Sequence, residues 1–376
     1  MATSTTAFEV PSTQAALLVA SPAQPFTLSS THPVPTLSNP NDILIRIEAT
    51  AINPVDWKVQ QYGLAGAEWP AIMGSDCAGV VVKVAEGVER VKVGDRVLHQ
   101  GQYVNRGATF QQYTIANANL VAKIPSSLSF SQAATIPVAL SAAAFGLYGP
   151  RVPKGGAALL PPWHVSESGK PVRKAYKGKP IVVLGGASSV GQYVIQLARL
   201  SGFAPILTTV SPHNIPLVTS LGATHPIPRS TPLSELPSVL TSLTSSPLEV
   251  VYDAVSAQET QLAGWELLSE GSEGTLVLVL PACDALKQKL AEEEKKGGKR
   301  RVISTYATVH GPVNREVGEE MYGVLAGLLE RGDIKPNEVE EVPGGLAGIY
   351  EACERMKKGL VSGRKLVVRP QETTTE

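Results

Sequence analysis

A short apolar segment that runs directly into a glycine- and serine-rich turn constrains the fold of this chain more than any other feature. The segment, Ile181–Leu184, precedes the turn GGASSVG at residues 185–191, and a helical run over residues 192–200 follows, closed by Gly202. Strand, small-residue turn and helix in this order are typical of a dinucleotide-binding unit, because the helix N-terminus stabilises a pyrophosphate. The expected cofactor-binding residues of the turn are Gly185, Ser188, Ser189, Val190 and Gly191. A turn that packs against a sheet and binds nothing is the alternative, since Ser188 replaces the middle glycine of the usual pattern.

Further apolar segments recur beyond this unit. Strands are predicted over residues 206–210, 248–253, 275–280 and 302–307, with helix-length segments such as 316–331 between them. Strands that alternate with helices predict a parallel sheet wound on both faces.

The first third of the chain is rich in predicted strands. Residues 42–52 alternate as in a strand with one buried face, and residues 78–84 and 97–98 are two further strands. Residues 365–369 are strand-like again, and we expect them to return to this first domain. The apolar stretch 133–148 predicts the start of a buried helix, and the proline-containing segment 160–179 predicts an irregular insertion. The fold class is therefore α/β.

The composition excludes several classes of partner and site. Thirty-three basic residues balance thirty-three acidic ones, so neither nucleic acid nor an anionic membrane is an expected partner. The three cysteines, Cys77, Cys283 and Cys353, are too scattered for a disulfide framework or a Cys-x-x-Cys zinc site. The first basic residue is Arg46, so the positive region of an export or mitochondrial peptide is missing. We expect a cytoplasmic protein that acts on a small molecule.

The end of the second strand of the dinucleotide unit indicates which dinucleotide is bound. An NAD site usually has an Asp or Glu there for the ribose hydroxyls, and residues 191–234 contain neither. Ser211, His213 and Asn214 follow the strand instead, with Arg229 further along. Hydroxyl, imidazole and guanidinium groups suit a 2′-phosphate, which a carboxylate would repel. The sequence thus predicts NADPH, and ordinary surface positions for His213 and Arg229 are the alternative.

Seven motifs occur in the order that one protein family has them. They are NPVDWK (53–58), GSDCAGVV (74–81), VGDRV (93–97), LPPW (160–163), GGASSVG (185–191), SPHN (211–214) and VSGRKL (361–366). On these motifs the chain resembles the medium-chain dehydrogenases/reductases. Within them it is most similar to the zinc-independent quinone oxidoreductase branch, with its ToxD-like oxidoreductases and trans-acting polyketide enoyl reductases. The resemblance implies a GroES-like catalytic β domain over residues 1–145 and 335–376, and a Rossmann NADPH-binding domain over residues 146–334.

The same resemblance implies the other site residues. Cofactor contacts are expected from Pro54, Asp56, Trp57 and Lys58 on the nicotinamide ribose side, and from Leu280, Ser362 and Gly363. Residues matching the family's substrate-lining segment are Pro137, Val138, Leu140 and Ser141. Lys58 and Ser141 are the expected catalytic residues, with the Ser141 hydroxyl near the reacting carbonyl. The alternatives are a surface position for Lys58 and a helix-capping role for Ser141.

The resemblance also bears on zinc. Asn53 and Ser75 stand where the zinc alcohol dehydrogenases have a Cys and a His ligand, and residues 95–115 lack the four clustered cysteines of a structural zinc site. Zinc requires thiolate, imidazole or carboxylate ligands, so no metal is expected.

Without a Lewis acid, the expected reaction is reduction of an activated C=C bond in an enoyl thioester or an enone. Hydride goes to the β-carbon, charge builds on the carbonyl oxygen, and a proton goes to the α-carbon. An NADPH quinone or carbonyl reductase and a non-catalytic NADPH-binding protein are the alternatives. The expected substrate is a small molecule or a carrier-bound acyl chain of a polyketide synthase, and the expected oligomeric state is a monomer or a homodimer.

Overall fold

The computed structural model describes residues 9–64, 67–165 and 172–374, and these contain sixteen strands and ten α-helices. The strands are β1 (Thr13–Val19), β2 (Phe26–Pro33), β3 (Asp42–Ala51), β4 (Ala71–Ile72), β5 (Asp76–Val84), β6 (Arg96–Gln100), β7 (Tyr113–Asn117), β8 (Val121–Lys123), β9 (Ile181–Leu184), β10 (Ile206–Val210), β11 (His225–Pro228), β12 (Val250–Asp253), β13 (Thr275–Leu278), β14 (Arg301–Ser304), β15 (Glu338–Glu341) and β16 (Arg364–Val368). The helices are α1 (Pro54–Tyr62), α2 (Phe130–Ala134), α3 (Pro137–Tyr148), α4 (Ser189–Ser201), α5 (Ile215–Leu221), α6 (Leu236–Leu243), α7 (Gln258–Leu267), α8 (Asp284–Lys295), α9 (Arg315–Glu330) and α10 (Ile349–Lys357).

The chain divides into two compact units. Unit 1 consists of Met1–Pro137, Glu338–Val361 and Lys365–Glu376, and unit 2 consists of Val138–Asn337 and Ser362–Arg364.

Unit 1 is built on two sheets. A small sheet has the order β2-β1-β4, and a larger one has the order β15-β16-β3-β5-β6-β8, with β7 also paired to β3. Strand β3 forms as predicted, and Ile43, Ile45 and Ile47 from one of its faces are fully buried. The expectation of a single buried face is wrong, because Asp42, Leu44 and Thr50 on the other face are buried as well. Strand β16 pairs antiparallel with β3 through Val367 and Ala51, which confirms that the late strand belongs with the first domain.

Unit 2 contains one parallel sheet of order β11-β10-β9-β12-β13-β14. Strand β9 is followed on one side by β10 and β11 and on the other by β12 to β14, so the order reverses at β9. Right-handed crossovers then place helices on opposite faces of the sheet on the two sides of this point. The doubly wound Rossmann-like sheet expected from the sequence is therefore confirmed.

Three predicted strands of this sheet are shorter than expected. Strand β12 begins at Val250 and not at residue 248, and two other strands end early. Strand β13 ends at Leu278 because the next N–H, that of Val279, donates to the hydroxyl of Ser256 at 2.9 Å. Strand β14 ends at Ser304, and the N–H of Tyr306 donates to the carbonyl of Lys154 at 3.2 Å. Both predictions of longer strands, 275–280 and 302–307, are wrong at their C-terminal ends because these N–H groups bond outside the sheet.

The apolar stretch before unit 2 is helical and buried. Of the described residues, only the helical stretch Phe130–Tyr148 is long and apolar enough by length and composition to cross a membrane. However, 83% of its most apolar part is buried inside the protein, as is usual for a core helix. The predicted buried helix is thus confirmed. In the described parts of the predicted insertion, residues 160–165 and 172–179, no helix or strand forms.

Candidate functional site

The glycine-rich turn of unit 2 joins β9 to α4. Gly185 has φ +81°, a backbone conformation that favours glycine. A Cβ on Gly191 would lie 2.3 Å from the carbonyl oxygen of Gly185, so the helix can start this close to the strand only with glycine there. Ser188 is the N-cap of α4, and its Oγ accepts the N–H of Gly191 at 3.0 Å. The first N–H groups of a helix have no partner inside it, so those of Ser189 and Val190 are the donors that an anionic ligand would meet.

Beside this turn, the end of β10 meets a segment from much later in the chain. Ser211 follows β10 directly, and His213 and Asn214 lie in the 3₁₀ turn after it. The Nδ2 of Asn214 donates to the Oγ of Ser362 at 3.0 Å, and the Nε2 of His213 lies 3.4 Å from the same oxygen. A Cβ on Gly363 would lie 2.7 Å from the Oδ1 of Asn214, so the backbone of Gly363 packs directly against the Asn214 side chain. The structure brings these predicted cofactor residues together in one cluster.

Two other predicted cofactor residues follow strands of the same sheet. Arg229 is the residue after β11; its N–H donates to the carbonyl of Val210 at 2.7 Å, and its side chain is exposed. Leu280 is two residues beyond the end of β13 and is half-buried. Carboxyl ends of parallel strands form one edge of a sheet, and ligands of doubly wound folds bind at that edge.

Gln192 connects these parts, and the sequence analysis did not identify it. Its Nε2 donates to the carbonyls of Ala187 at 3.1 Å and Gly363 at 3.3 Å, and its Oε1 accepts from the Nδ2 of Asn337 at 2.9 Å. The side chain is 1% exposed. A glutamine on the buried face of a helix must find hydrogen-bond partners, and that is the signal that would have found it.

Unit 1 contains a separate group of buried polar side chains at the start of α1. Asn53 is the N-cap of α1, and its N–H donates to the Oδ2 of Asp56 at 2.7 Å. The Nδ2 of Asn53 donates to the Oδ2 of Asp76 at 2.7 Å, and the Nζ of Lys365 lies 2.5 Å from that same oxygen. Ser75 donates a long hydrogen bond of 3.5 Å to Asp56 Oδ1. Two carboxyl groups and one ammonium group thus share a site without access to solvent.

Burial, more than the neighbouring charges, shifts the pKa of one carboxyl in this group. Burial of Asp56, together with the nearby charge of Asp76, raises the pKa of Asp56 to about 7. The Asn53 N–H, Lys365 and Ser75 act in the opposite direction and only partly offset these effects. Asp56 therefore changes its charge near neutral pH.

The next two residues of α1 form a cationic and aromatic cluster. The Nζ atoms of Lys58 and Lys357 lie 5.6 Å and 5.8 Å from the centre of the Trp57 ring. Both distances are within the range of cation–π attraction. Burial lowers the pKa of Lys58, and the indole Nε1 of Trp57 is buried without a hydrogen-bond partner among the described residues. Pro54, the first residue of α1, is exposed.

The predicted substrate residues lie at the start of α3. Pro137 begins the helix, Val138 is half-buried, and Leu140 and Ser141 are 1% and 0% exposed. Ser141 is the fifth residue of α3, so the alternative that it caps this helix is wrong. Its Oγ has no hydrogen-bond partner in the described chain.

Comparison with known proteins agrees with both units. The profile of the Alcohol dehydrogenase GroES-like domain matches residues 39–126, and that of the Zinc-binding dehydrogenase family matches residues 189–282. The trans-enoyl reductase himH of Aspergillus japonicus is 34% identical over 339 residues, which are 87% of this chain and 89% of that protein. The chain is a medium-chain dehydrogenase/reductase. Among such proteins it is also 31% identical over 375 residues, 96% of this chain and 97% of the relative, to lovC, the enoyl reductase component of the lovastatin nonaketide synthase of Aspergillus terreus.

Solved structures of this family share the fold of the reductase. An alcohol dehydrogenase superfamily protein from Novosphingobium aromaticivorans superposes with a TM-score of 0.74 at 24% identity, covering 95% of this chain and 99% of that one. The chain is thus an enoyl reductase-like oxidoreductase, and its Rossmann-like unit implies a nicotinamide cofactor.

The zinc of some family members does not fit the residues of this reductase. Asn53 and Ser75, at the positions of the Cys and His ligands, carry an amide and a hydroxyl, and both already bond to the carboxylates of Asp76 and Asp56. Neither group is a zinc ligand. Across residues 9–64, 67–165 and 172–374, no group of three or more His, Cys, Asp or Glu side chains is arranged to hold a metal ion.

Proposed function

We propose that this reductase is a cytoplasmic, zinc-independent enzyme that uses NADPH to reduce an activated C=C bond. Support for the reaction comes from the relatives that are named trans-enoyl reductases and from the poor fit of zinc to Asn53 and Ser75. Carbonyl reduction by hydride transfer gains from a Lewis acid, whereas conjugate reduction places its charge on an enolate that hydrogen-bond donors can stabilise.

The observation that carries the cofactor proposal is the cluster after β10. Ser211, His213, Asn214 and Ser362 present hydroxyl, imidazole and amide groups there, and residues 191–234 contain no carboxylate. The exposed Arg229 lies beside the end of β10. A 2′-phosphate would therefore meet donors and a positive charge, with no carboxylate from residues 191–234 to repel it.

The residues of the turn serve the rest of the dinucleotide in this proposal. The free N–H groups of Ser189 and Val190, at the positive end of α4, bind the pyrophosphate. Asp56, Trp57 and Lys58 are assigned to the nicotinamide ribose. Bound NADPH supplies the hydride that adds to the β-carbon of the alkene.

Two side chains of the protein are proposed to act on the substrate. The Ser141 hydroxyl, which has no hydrogen-bond partner among the described residues, donates to the carbonyl oxygen as that oxygen gains negative charge. Lys58, whose pKa burial lowers, is the second side chain proposed to act in catalysis. Water delivers the proton to the α-carbon. Pro137, Val138 and Leu140 are proposed to line the acyl chain.

The substrate class follows from the relatives. Proteins named trans-enoyl reductases, and one named as a component of a nonaketide synthase, suggest an enoyl group on the acyl carrier of a polyketide synthase. Such a substrate is a thioester, which activates the alkene for hydride addition.

The test is to follow NADPH oxidation with an enoyl thioester, a free enone and a quinone. Oxidation with the thioester or the enone is expected, with a product that has gained two hydrogen atoms by mass spectrometry. Oxidation by the quinone alone would replace this proposal with a quinone reductase.

Metal content is the second measurement. Elemental analysis of the purified protein is expected to find no stoichiometric zinc, and treatment with a chelator to leave the rate unchanged. One tightly bound zinc per chain would contradict the zinc-independent reaction.

A further inference from the structure

The function proposed above assigns no role to the buried ion pair between Lys365 and Asp76. The Nζ of Lys365 lies 2.5 Å from the Oδ2 of Asp76 and 3.4 Å from the carbonyl oxygen of Thr135, and the two charged side chains are 2% and 0% exposed. An isolated charge at such a place is very costly, and removing one partner of a buried pair leaves the other charge uncompensated. The Asp76 carboxylate therefore depends on this ammonium group.

The ion pair is connected to the beginning of α1. The oxygen of Asp76 that contacts Lys365 also accepts from the Nδ2 of Asn53 at 2.7 Å. The N–H of Asn53, the N-cap of α1, in turn donates to Asp56 at 2.7 Å. The first turn of α1 is thus connected to Asp76 by hydrogen bonds through the side chain of Asn53. Trp57 follows within the same helical turn.

We propose that Lys365 is a positioning residue, whose fixed ammonium group orders Asp76, Asn53 and the first turn of α1 and so places the residues that receive the nicotinamide end of the cofactor. The role rests on the proposed function, because that function assigns Asp56, Trp57 and Lys58 to the nicotinamide ribose. In zinc-containing relatives a metal cation would bind at the positions of Asn53 and Ser75. In this chain the ammonium group of Lys365 organises the same segment, because it contacts the Asp76 oxygen to which Asn53 donates.

The alternative is that the pair contributes only to the stability of unit 1. If Lys365 has a positioning role, loss of its ammonium group loosens α1 and weakens cofactor binding. A change elsewhere that lowers the free energy of unfolding by the same amount must have a smaller effect on both. A less deeply buried ion pair in unit 2 serves as the control, where Arg300 bonds Glu293 with side chains 10% and 12% exposed and stacks on Trp265 at 4.5 Å.

The experiment compares Lys365→Met, Lys365→Arg and the control Arg300→Met in the full-length protein. Hydrogen exchange of the peptide covering residues 54–62 is measured without cofactor, and kcat and KM for NADPH are measured with it. For Lys365→Met we expect faster exchange in this peptide and a KM for NADPH raised roughly ten- to hundredfold, with a smaller change in kcat. The conservative Lys365→Arg variant keeps the charge and is expected to restore most of both properties. The Arg300→Met variant is expected to be less stable, while its hydrogen exchange in α1 and its KM for NADPH stay close to those of the wild type.

Lys365→Met leaves the buried Asp76 charge without its partner, which can prevent folding. The double variant Lys365→Met/Asp76→Asn is therefore measured alongside it. This variant removes both charges, and it is expected to fold and to show the same loosened α1. The proposal is overturned if a folded variant without the ammonium group shows the hydrogen exchange and the KM of the wild type. It is also overturned if Arg300→Met changes exchange in α1 and KM as much as Lys365→Met does. If the wild-type protein fails to bind NADPH, the proposed function is wrong, while exchange in α1 still tests the positioning role separately.

Discussion

Asn214 and Ser362 are 148 residues apart in the sequence, and the Nδ2 of the first donates to the Oγ of the second at 3.0 Å. Asn214 is 8% exposed, so the bond holds the turn after β10 in a fixed position. Side chains that are already oriented lose less conformational entropy when a ligand binds. The proposed 2′-phosphate site is thus assembled before the cofactor arrives.

Ser211→Asp is expected to remove the preference for NADPH. It removes one donor and adds a charge that repels a 2′-phosphate. Charge-assisted hydrogen bonds contribute about 1.5–3 kcal/mol, and about 1.4 kcal/mol corresponds to tenfold in affinity. Titration should therefore show NADPH binding weakened by about one to two orders of magnitude, with NADH binding little changed. The exposed Ser220→Asp change on α5 is the control for added charge. Equal wild-type affinity for NADH and NADPH would show that this loop does not select the cofactor.

Gly191→Ala is expected to disturb the turn between β9 and α4. The new Cβ would lie 2.3 Å from the carbonyl oxygen of Gly185, and forcing an extra methyl into a packed site costs about 1–3 kcal/mol. Urea unfolding should detect this loss, together with weaker NADPH binding. Gly323→Ala is the matched control, because nothing lies within 4 Å of its Cβ position in α9. Alanine there should raise the free energy of unfolding by up to about 1 kcal/mol.

Asp56 gives the stability of the protein a pH dependence of known sign. Its pKa is about 7 in the folded protein, against 3.8 for the free side chain. The folded state therefore binds this proton more tightly, and the contribution to stability is full below about pH 4 and falls as the pH rises towards 7. The Asp56→Asn variant cannot ionise. Its free energy of unfolding, relative to that of the wild type, should therefore rise by about 1–3 kcal/mol between pH 5 and pH 8. Urea unfolding of both proteins at the two pH values measures the gain, and a difference that does not change with pH would contradict it.

Ser141→Ala is expected to separate activity from stability. The hydroxyl is buried without a partner in the described chain, so its removal leaves the free energy of unfolding unchanged or raises it by about 1 kcal/mol. Loss of a donor to the developing enolate should lower kcat/KM about a hundredfold.

Ser201→Ala is the opposite case and serves as the control. The Oγ of Ser201 lies 2.8 Å from the Tyr148 hydroxyl in a buried hydrogen bond. Its loss should cost about 1 kcal/mol in stability and leave kcat/KM as it is. If Ser141→Ala behaves in the same way, Ser141 has a structural role only.

The sequence was informative where local chemistry decides the structure. Strands β9 and β10 have the predicted bounds, and α4 ends at Gly202, which adopts the left-handed conformation of a helix C-cap. The nine-residue helix α1 was not predicted, because it has no clear hydrophobic period and only Asn53 and Pro54 at its start are typical of a helix N-terminus.

Long-range polar contacts were beyond sequence analysis. Lys365 and Asp76 are 289 residues apart, and each resembles an ordinary charged residue beside an apolar strand. Their pairing follows from the order of the strands, because β16 and β5 both neighbour β3. A charge pattern in one dimension contains no information about which strands become neighbours.

The position of β16 has a consequence for protein synthesis. Residues 364–368 are inserted between β15 and β3, so the ribosome makes β3 more than three hundred residues before its neighbour. During that interval the end of β3 at Thr50 and Ala51 lacks its final partner, since β7 covers only residues 42–46 on that side, and such open edges favour pairing between nascent chains. Residues 138–337 of unit 2 are continuous in sequence and can collapse first. Unit 1 completes its sheet only late in translation, when the C-terminal strand emerges.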